Sequence, residues 1–126
     1  MSGVGIGIDL VDVARLDSAM RRRPRLADRV FTAHELDSRA TGARRVERLA
    51  ARFAAKEATM KALGVGLGAF PMREIEVVVD EDGRPTLALH GTAREHARRM
   101  GVRSLSVSLT HTATLAAAVV VAEPAA

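Results

Sequence analysis

The run from Arg44 to Leu63 constrains this chain most. It is rich in alanine, free of glycine and proline, and followed at once by Gly64. Alanine is the best helix former and glycine just past a periodic run is a common stop, so the run predicts a long helix. Its apolar stripe passes through Val46, Leu49, Phe53, Met60 and Leu63. A charged residue, Glu57, stands inside that stripe, one helical turn from both Phe53 and Met60. A carboxylate on a core-facing stripe must be paired, protonated or metal-bound, because burying a lone charge costs several kcal/mol. The plain reading is an i, i+4 pair with Lys61, worth only ~0.5 kcal/mol at a surface; the other is a ligand site.

The rest of the chain surrounds this helix with short strands. Val4 to Asp9 alternates, with Gly5, Gly7 and Asp9 on one face and Val4, Ile6 and Ile8 on the other. Asp12 can cap a helix over Val13 to Arg23, which Pro24 ends, and Thr32 with Glu35 has capping-box spacing for a short helix from about Ala33. A break falls at Thr41-Gly42, and Gly64, Gly66 and Gly68 form a loop after the long helix. Strands are expected over Glu74 to Val79 and Pro85 to Leu89, joined by a turn at Asp82-Gly83. Thr92 and Glu95 then suggest a capping box for a helix ending at Gly101. Ser104 to Thr110 and Leu115 to Ala122 read as a closing strand pair. With 126 residues and no linker or repeat, the order predicts one α+β domain over residues 1–126, with a mainly antiparallel sheet and a long central helix.

Composition narrows the chemistry. There is no cysteine, which excludes disulfides, thiolate zinc sites and cysteine nucleophiles. The four histidines (His34, His90, His96 and His111) lack zinc-site spacing. No stretch approaches the ~20 apolar residues that span a bilayer. The opening Met1 to Asp9 lacks the basic-then-apolar order of a secretion leader, which points to the cytoplasm. The net charge of +4 favours an acidic partner. Arg15, Arg21, Arg22, Arg23, Arg25 and Arg29, with Met20 and Leu26 between them, form either a solvated helix face or a docking patch. The stacking aromatics of single-strand nucleic-acid binders are missing.

Asp9 repeats the contradiction of Glu57. It lies inside an apolar run, after two glycines on its own strand face that leave room for something bulkier than a side chain. As a bland alternative it is a turn carboxylate, a role Asp12 fills better. Two isolated carboxylates suit Mg²⁺, which takes hard oxygen ligands and completes its shell with water and substrate phosphates. The Gly3, Gly5, Gly7 and Gly64, Gly66, Gly68 clusters miss the dinucleotide and P-loop patterns. His111 shares parity with Leu105, Val107 and Leu109, the position of a satisfied core histidine.

Taken together these segments resemble the holo-acyl-carrier-protein synthases. Gly5-Ile6-Gly7-Ile8-Asp9-Leu10-Val11 is similar to that family's Gly-Ile-Asp motif. Arg52-Phe53-Ala54-Ala55-Lys56-Glu57-Ala58 followed by Lys61 is similar to its aromatic, Lys-Glu-Ala, Lys motif. Phe31-Thr32 with Glu35-Leu36, and Val107-Ser108-Leu109-Thr110-His111, also match in order. The resemblance implies a phosphopantetheinyl-transferase-like fold and a homotrimer with active sites at subunit interfaces. It implies transfer of 4'-phosphopantetheine from coenzyme A to a serine of an acidic apo acyl carrier protein, releasing 3',5'-ADP, in fatty acid or polyketide biosynthesis. Neither nucleic acid nor membrane is an implied partner.

Asp9 and Glu57 would then bind Mg²⁺, with Lys61 completing the catalytic set. Arg52, Lys61, Gly64, Gly66 and His111 would lie near coenzyme A, and Arg15, Arg21 and Arg25 would meet the carrier protein. For Glu57 the resemblance reverses the order of the two readings. Thr112 follows His111 where some family members carry an acid, so this chain departs from an adjacent His–acid pair. Two other classes remain as alternatives: a non-catalytic basic module, and a phosphatase or nucleotide hydrolase using the same metal.

Overall fold

The computed structural model describes residues 3–37 and 40–125. The chain runs β1 (Gly5–Asp12), α1 (Val13–Arg22), α2 (Leu26–Val30), α3 (Ala33–Leu36) and α4 (Gly42–Ala62). A single 3-10 turn (Met72–Glu74) follows, then β2 (Ile75–Val79), β3 (Pro85–Leu89), α5 (Gly91–Met100), β4 (Val102–His111) and β5 (Leu115–Pro124). This is the expected α+β arrangement, but the strands divide into two antiparallel sheets, β1-β5-β4 and the hairpin β2-β3. The helix α2 is an addition to the sequence-based reading, which saw only a basic segment there.

The three-stranded sheet and α4 pack through small side chains. Ala116, Ala118, Val120 and Ala122 of β5 face Ala50, Ala54, Ala55, Ala58 and Ala62 of α4, all essentially inaccessible to solvent. Alanine on alanine lets a helix backbone come close to a sheet, and the closest approach is at Gly7. A methyl group there would overlap the Ala58 carbonyl oxygen and lie 2.7 Å from the Ala62 nitrogen. The room left by Gly7 is thus filled by a helix, not by a ligand. In the register of β1 and β5, Asp9 pairs with Ala118 and Val11 with Ala116, so Gly7, Asp9 and Val11 share the face that α4 covers.

A second tie fixes α4 from its other side. Lys56 and Glu35 are both fully buried at the side chain, with Nζ 2.7 Å from Oε1. The other two donors of the ammonium reach the Ile75 carbonyl at 2.6 Å and the Met72 carbonyl at 3.2 Å. Glu35 in turn accepts from the backbone nitrogens of Thr32 and Val77, each at 2.9 Å. Burial pulls the Lys56 pKa down, and Glu35 opposes that pull. All three ammonium donors are used, which is the condition under which a buried ion pair is tolerable. This network joins α3, α4, the 3-10 turn and β2.

The local caps show which short-range signals held. Asp12 caps α1 by accepting from the Arg15 nitrogen at 3.0 Å. Thr32 and Glu35 form the full capping box of α3. The expected box of Thr92 and Glu95 does not form. Instead Glu74 reaches α5 from outside, accepting from the Thr92 hydroxyl at 2.7 Å and the Ala93 nitrogen at 2.9 Å. Glu95 pairs with Arg98.

Candidate active site

Asp9 enters the space between β1 and α4 because strand alternation and Gly7 put it there. Glu57 enters from α4, where a helix pressed against β1 at Ala58 carries its neighbour to the same place. Lys61, one turn further on, closes the group: its Nζ lies 3.2 Å from Asp9 Oδ1 and donates to the Ile8 carbonyl at 2.9 Å. The lysine therefore holds Asp9 rather than Glu57, unlike the simple helix pair that its spacing suggested.

Two features make the cluster chemically unfinished. Asp9 Oδ2 is buried and has no hydrogen-bond partner among the described residues. Burial and, after it, the neighbouring Asp9 carboxylate push Glu57 up to about 7, against the pull of Lys61. Two carboxylates facing each other with one orphaned oxygen want a positive charge between them. The donors are hard oxygens, and among the described residues no cluster of three or more metal-binding side chains occurs. A two-carboxylate site fits Mg²⁺, which needs one or two such ligands and fills the remainder with water and phosphate.

Glu57 also opens onto a cavity of about 480 Å³ between β1, α1, α2 and α4. Leu10, Val11, Leu16, Leu26 and Phe53 give it apolar walls, and Asp12 and Arg15 stand at its polar side. Arg25 lines a neighbouring groove of about 370 Å³ with Arg23, Arg29 and Leu26, so Leu26 borders both spaces. Arg21 is exposed and pairs with Asp17 at 3.2 Å.

Other expected residues do not converge on this cluster within one chain. At about 100° per residue, Arg52 points roughly 140° around α4 from Glu57. It donates to the Arg48 carbonyl at 3.5 Å, and its buried Nε has no partner among the described residues. Burial lowers the Arg52 pKa, with Arg48 adding to the effect. Gly64 stands three residues past Lys61 at the helix stop, donating to the Lys61 carbonyl at 3.0 Å with φ of 71°. Gly66 lies further along the same loop, in open space. His111 sits at the end of β4 beside Glu47, with Nδ1 3.2 Å from Oε1. Ten residues of helix separate Glu47 from Glu57, about 15 Å along α4. Sequence reading missed Glu47 altogether, since nothing local links it to a histidine so distant in the chain.

The sequence profile of the 4'-phosphopantetheinyl transferase superfamily matches residues 5–120. The holo-[acyl-carrier-protein] synthase of Moorella thermoacetica is 47% identical over 117 residues, covering 93% of this chain and 91% of the relative. The crystal structure of the holo-[acyl-carrier-protein] synthase of Neisseria meningitidis superposes with a TM-score of 0.84 at 32% identity, covering 94% of this chain and 97% of that one. A holo-(acyl-carrier-protein) synthase of Bacillus anthracis, in complex with CoA (3',5'-ADP), superposes with a TM-score of 0.81 at 30% identity, covering 98% and 100%. Among the described residues no helix is long and apolar enough to cross a membrane. With a family profile spanning nearly the whole chain, relatives alike end to end and a shared fold, this chain belongs to the holo-[acyl-carrier-protein] synthases of the 4'-phosphopantetheinyl transferase superfamily and is an enzyme of that class.

Proposed function

We propose that the Asp9–Glu57–Lys61 cluster moves 4'-phosphopantetheine from coenzyme A to a serine hydroxyl of an acidic apo acyl carrier protein. The reaction depends on Mg²⁺, releases 3',5'-ADP, and serves fatty acid or polyketide biosynthesis in the cytoplasm. Residues 1–126 act as one transferase domain. The observation that carries this reading is the orphaned Asp9 Oδ2 beside Glu57, with the other Asp9 oxygen held by Lys61.

Asp9 and Glu57 would hold the ion, which when bound polarises the diphosphate and offsets its charge. The serine oxygen forms a bond to the β-phosphorus, the bond from that phosphorus to the bridging oxygen breaks, and 3',5'-ADP departs with the bridging oxygen. Lys61, whose side chain is half exposed, is placed to donate from Nζ to the departing phosphate. Lys61 already occupies one Asp9 oxygen, so Glu57 is the better placed of the two to take the serine proton through water.

Arg52, Gly64, Gly66 and His111 contact coenzyme A, and their spread over separate faces of one chain fits a site completed by a neighbouring copy. Self-association has a surface to use. The outer face of the three-stranded sheet exposes Ile6, Ile8 and Leu10 of β1 by 63–67%, with Leu115 and Val119 of β5 beside them. An exposed apolar stripe on two neighbouring strands fits an interface, and a homotrimer accounts for it. Arg15 at the cavity, with Arg21 and Arg25 beyond it, receives the acidic carrier.

The test combines the purified protein, coenzyme A, Mg²⁺ and an apo carrier, read by mass spectrometry. The carrier gains the mass of phosphopantetheine, and a chelator abolishes the gain. Carrier binding with no gain in mass would contradict transfer and favour a basic binding module; breakdown of coenzyme A without carrier would favour a hydrolase.

A further inference from the structure

We propose that Glu47 is the positioning residue of His111, holding its imidazole so that Nε2 is the nitrogen offered to coenzyme A; the role of His111 rests on the function proposed above. The residue that follows His111 is Thr112, and its hydroxyl is occupied by the turn into β5. It accepts from the Thr114 nitrogen at 3.2 Å and the Leu115 nitrogen at 3.1 Å. An acid for the histidine cannot come from its neighbour, and the fold supplies one from α4.

Glu47 and His111 are 64 residues apart, yet Glu47 Oε1 lies 3.2 Å from His111 Nδ1. The Glu47 side chain is only 18% exposed, while His111 is 40% exposed. A carboxylate only accepts hydrogen bonds, so this contact requires the proton on Nδ1. The second ring nitrogen is then left for a ligand, in an orientation fixed by the first. The pair also sits where β4 ends and the chain turns, at the opposite end of α4 from Lys61, so it serves a part of the ligand remote from the carboxylates.

The experiment measures the KM for coenzyme A in Glu47→Ala, His111→Ala and the double variant, with the carrier mass assay as readout. Glu47→Ala raises this KM about tenfold, the lower end of the loss seen when the partner orienting a metal-bound histidine is removed. His111→Ala raises it at least as much, and the double variant is no worse than His111→Ala alone, because both changes remove one interaction. Glu47→Gln restores much of the loss, since its amide oxygen still accepts from Nδ1. Long-range proton–nitrogen NMR of histidine-labelled protein, with His111→Gln to assign the signal, shows the Nδ1–H tautomer in the wild type and its loss in Glu47→Ala.

An unchanged KM in Glu47→Ala, additive losses in the double variant, or a wild-type His111 protonated only at Nε2 would overturn the assignment. Wild-type protein that transfers nothing would instead overturn the proposed function. The tautomer would still decide the pairing.

Discussion

Gly7 of β1 lies directly beneath the backbone of Ala58 on α4, with no space for even a methyl group between them. This contact sets the distance between strand and helix, and so brings Asp9 and Glu57 to one place. Gly7→Ala is expected to push α4 away from the sheet at a cost of about 3 kcal/mol, the upper range for overpacking a rigid site. Urea unfolding would show it, and turnover would fall with it. A Gly7→Ala protein of wild-type stability and activity would mean that α4 does not press on β1 at this point.

Lys56 and Lys61 stand five residues apart, but only Lys56 is buried in a closed network. Lys56→Met leaves the Glu35 carboxylate without its cation and is expected to destabilise by about 3–5 kcal/mol. Adding Glu35→Gln should recover part of that loss, because the uncompensated charge is gone. Thermal denaturation of the three proteins checks the order; equal loss in the single and double variants would contradict it.

The titration of Glu57 gives a pH signature. Its carboxyl is raised from the ordinary 4.5 to about 7, first by burial and then by Asp9. Between these two values the folded state keeps a proton that the unfolded state has lost, so stability falls as pH rises through the window. With divalent cations chelated, the Tm of the wild type should decline from about pH 4.5 to about pH 7, and Glu57→Gln should flatten that decline. Added Mg²⁺ should stabilise more at the alkaline end, where the carboxylate is free. The same slope in Glu57→Gln would assign the effect elsewhere.

Ile8 projects from β1 on the face opposite Asp9 and is 63% exposed. Ile8→Glu is expected to break the proposed trimer into monomers, read by light scattering, and to lower turnover as the interfacial sites come apart. A trimer that survives this change would place the interface on another surface.

Much of this fold is written in short-range signals. The alanine-rich run, the alternation in β1, the Thr32–Glu35 box and the Asp82-Gly83 turn each act through neighbours within a few residues, and each lies where expected. The five-residue helix α2 is hidden because little more than one turn is too short to display a 3.6-residue apolar period. The cap of α5 is not legible locally because Glu74 reaches it through tertiary structure.

The candidate site divides along the same line. Asp9 and Glu57 announced themselves as charges inside apolar patterns, a contradiction visible in one dimension. The different fates of Lys56 and Lys61, the helix filling the space above Gly7, and the Glu47–His111 pair depend on which elements meet. No local spacing encodes that.

The most direct measurement of the central claim is a crystal structure grown with coenzyme A and Mn²⁺ in place of Mg²⁺, located by anomalous scattering. One metal peak in contact with both the Asp9 and Glu57 carboxylates and with the diphosphate is the predicted result. A metal bound elsewhere, or a diphosphate bound while the two carboxylates hold no ion, would contradict it.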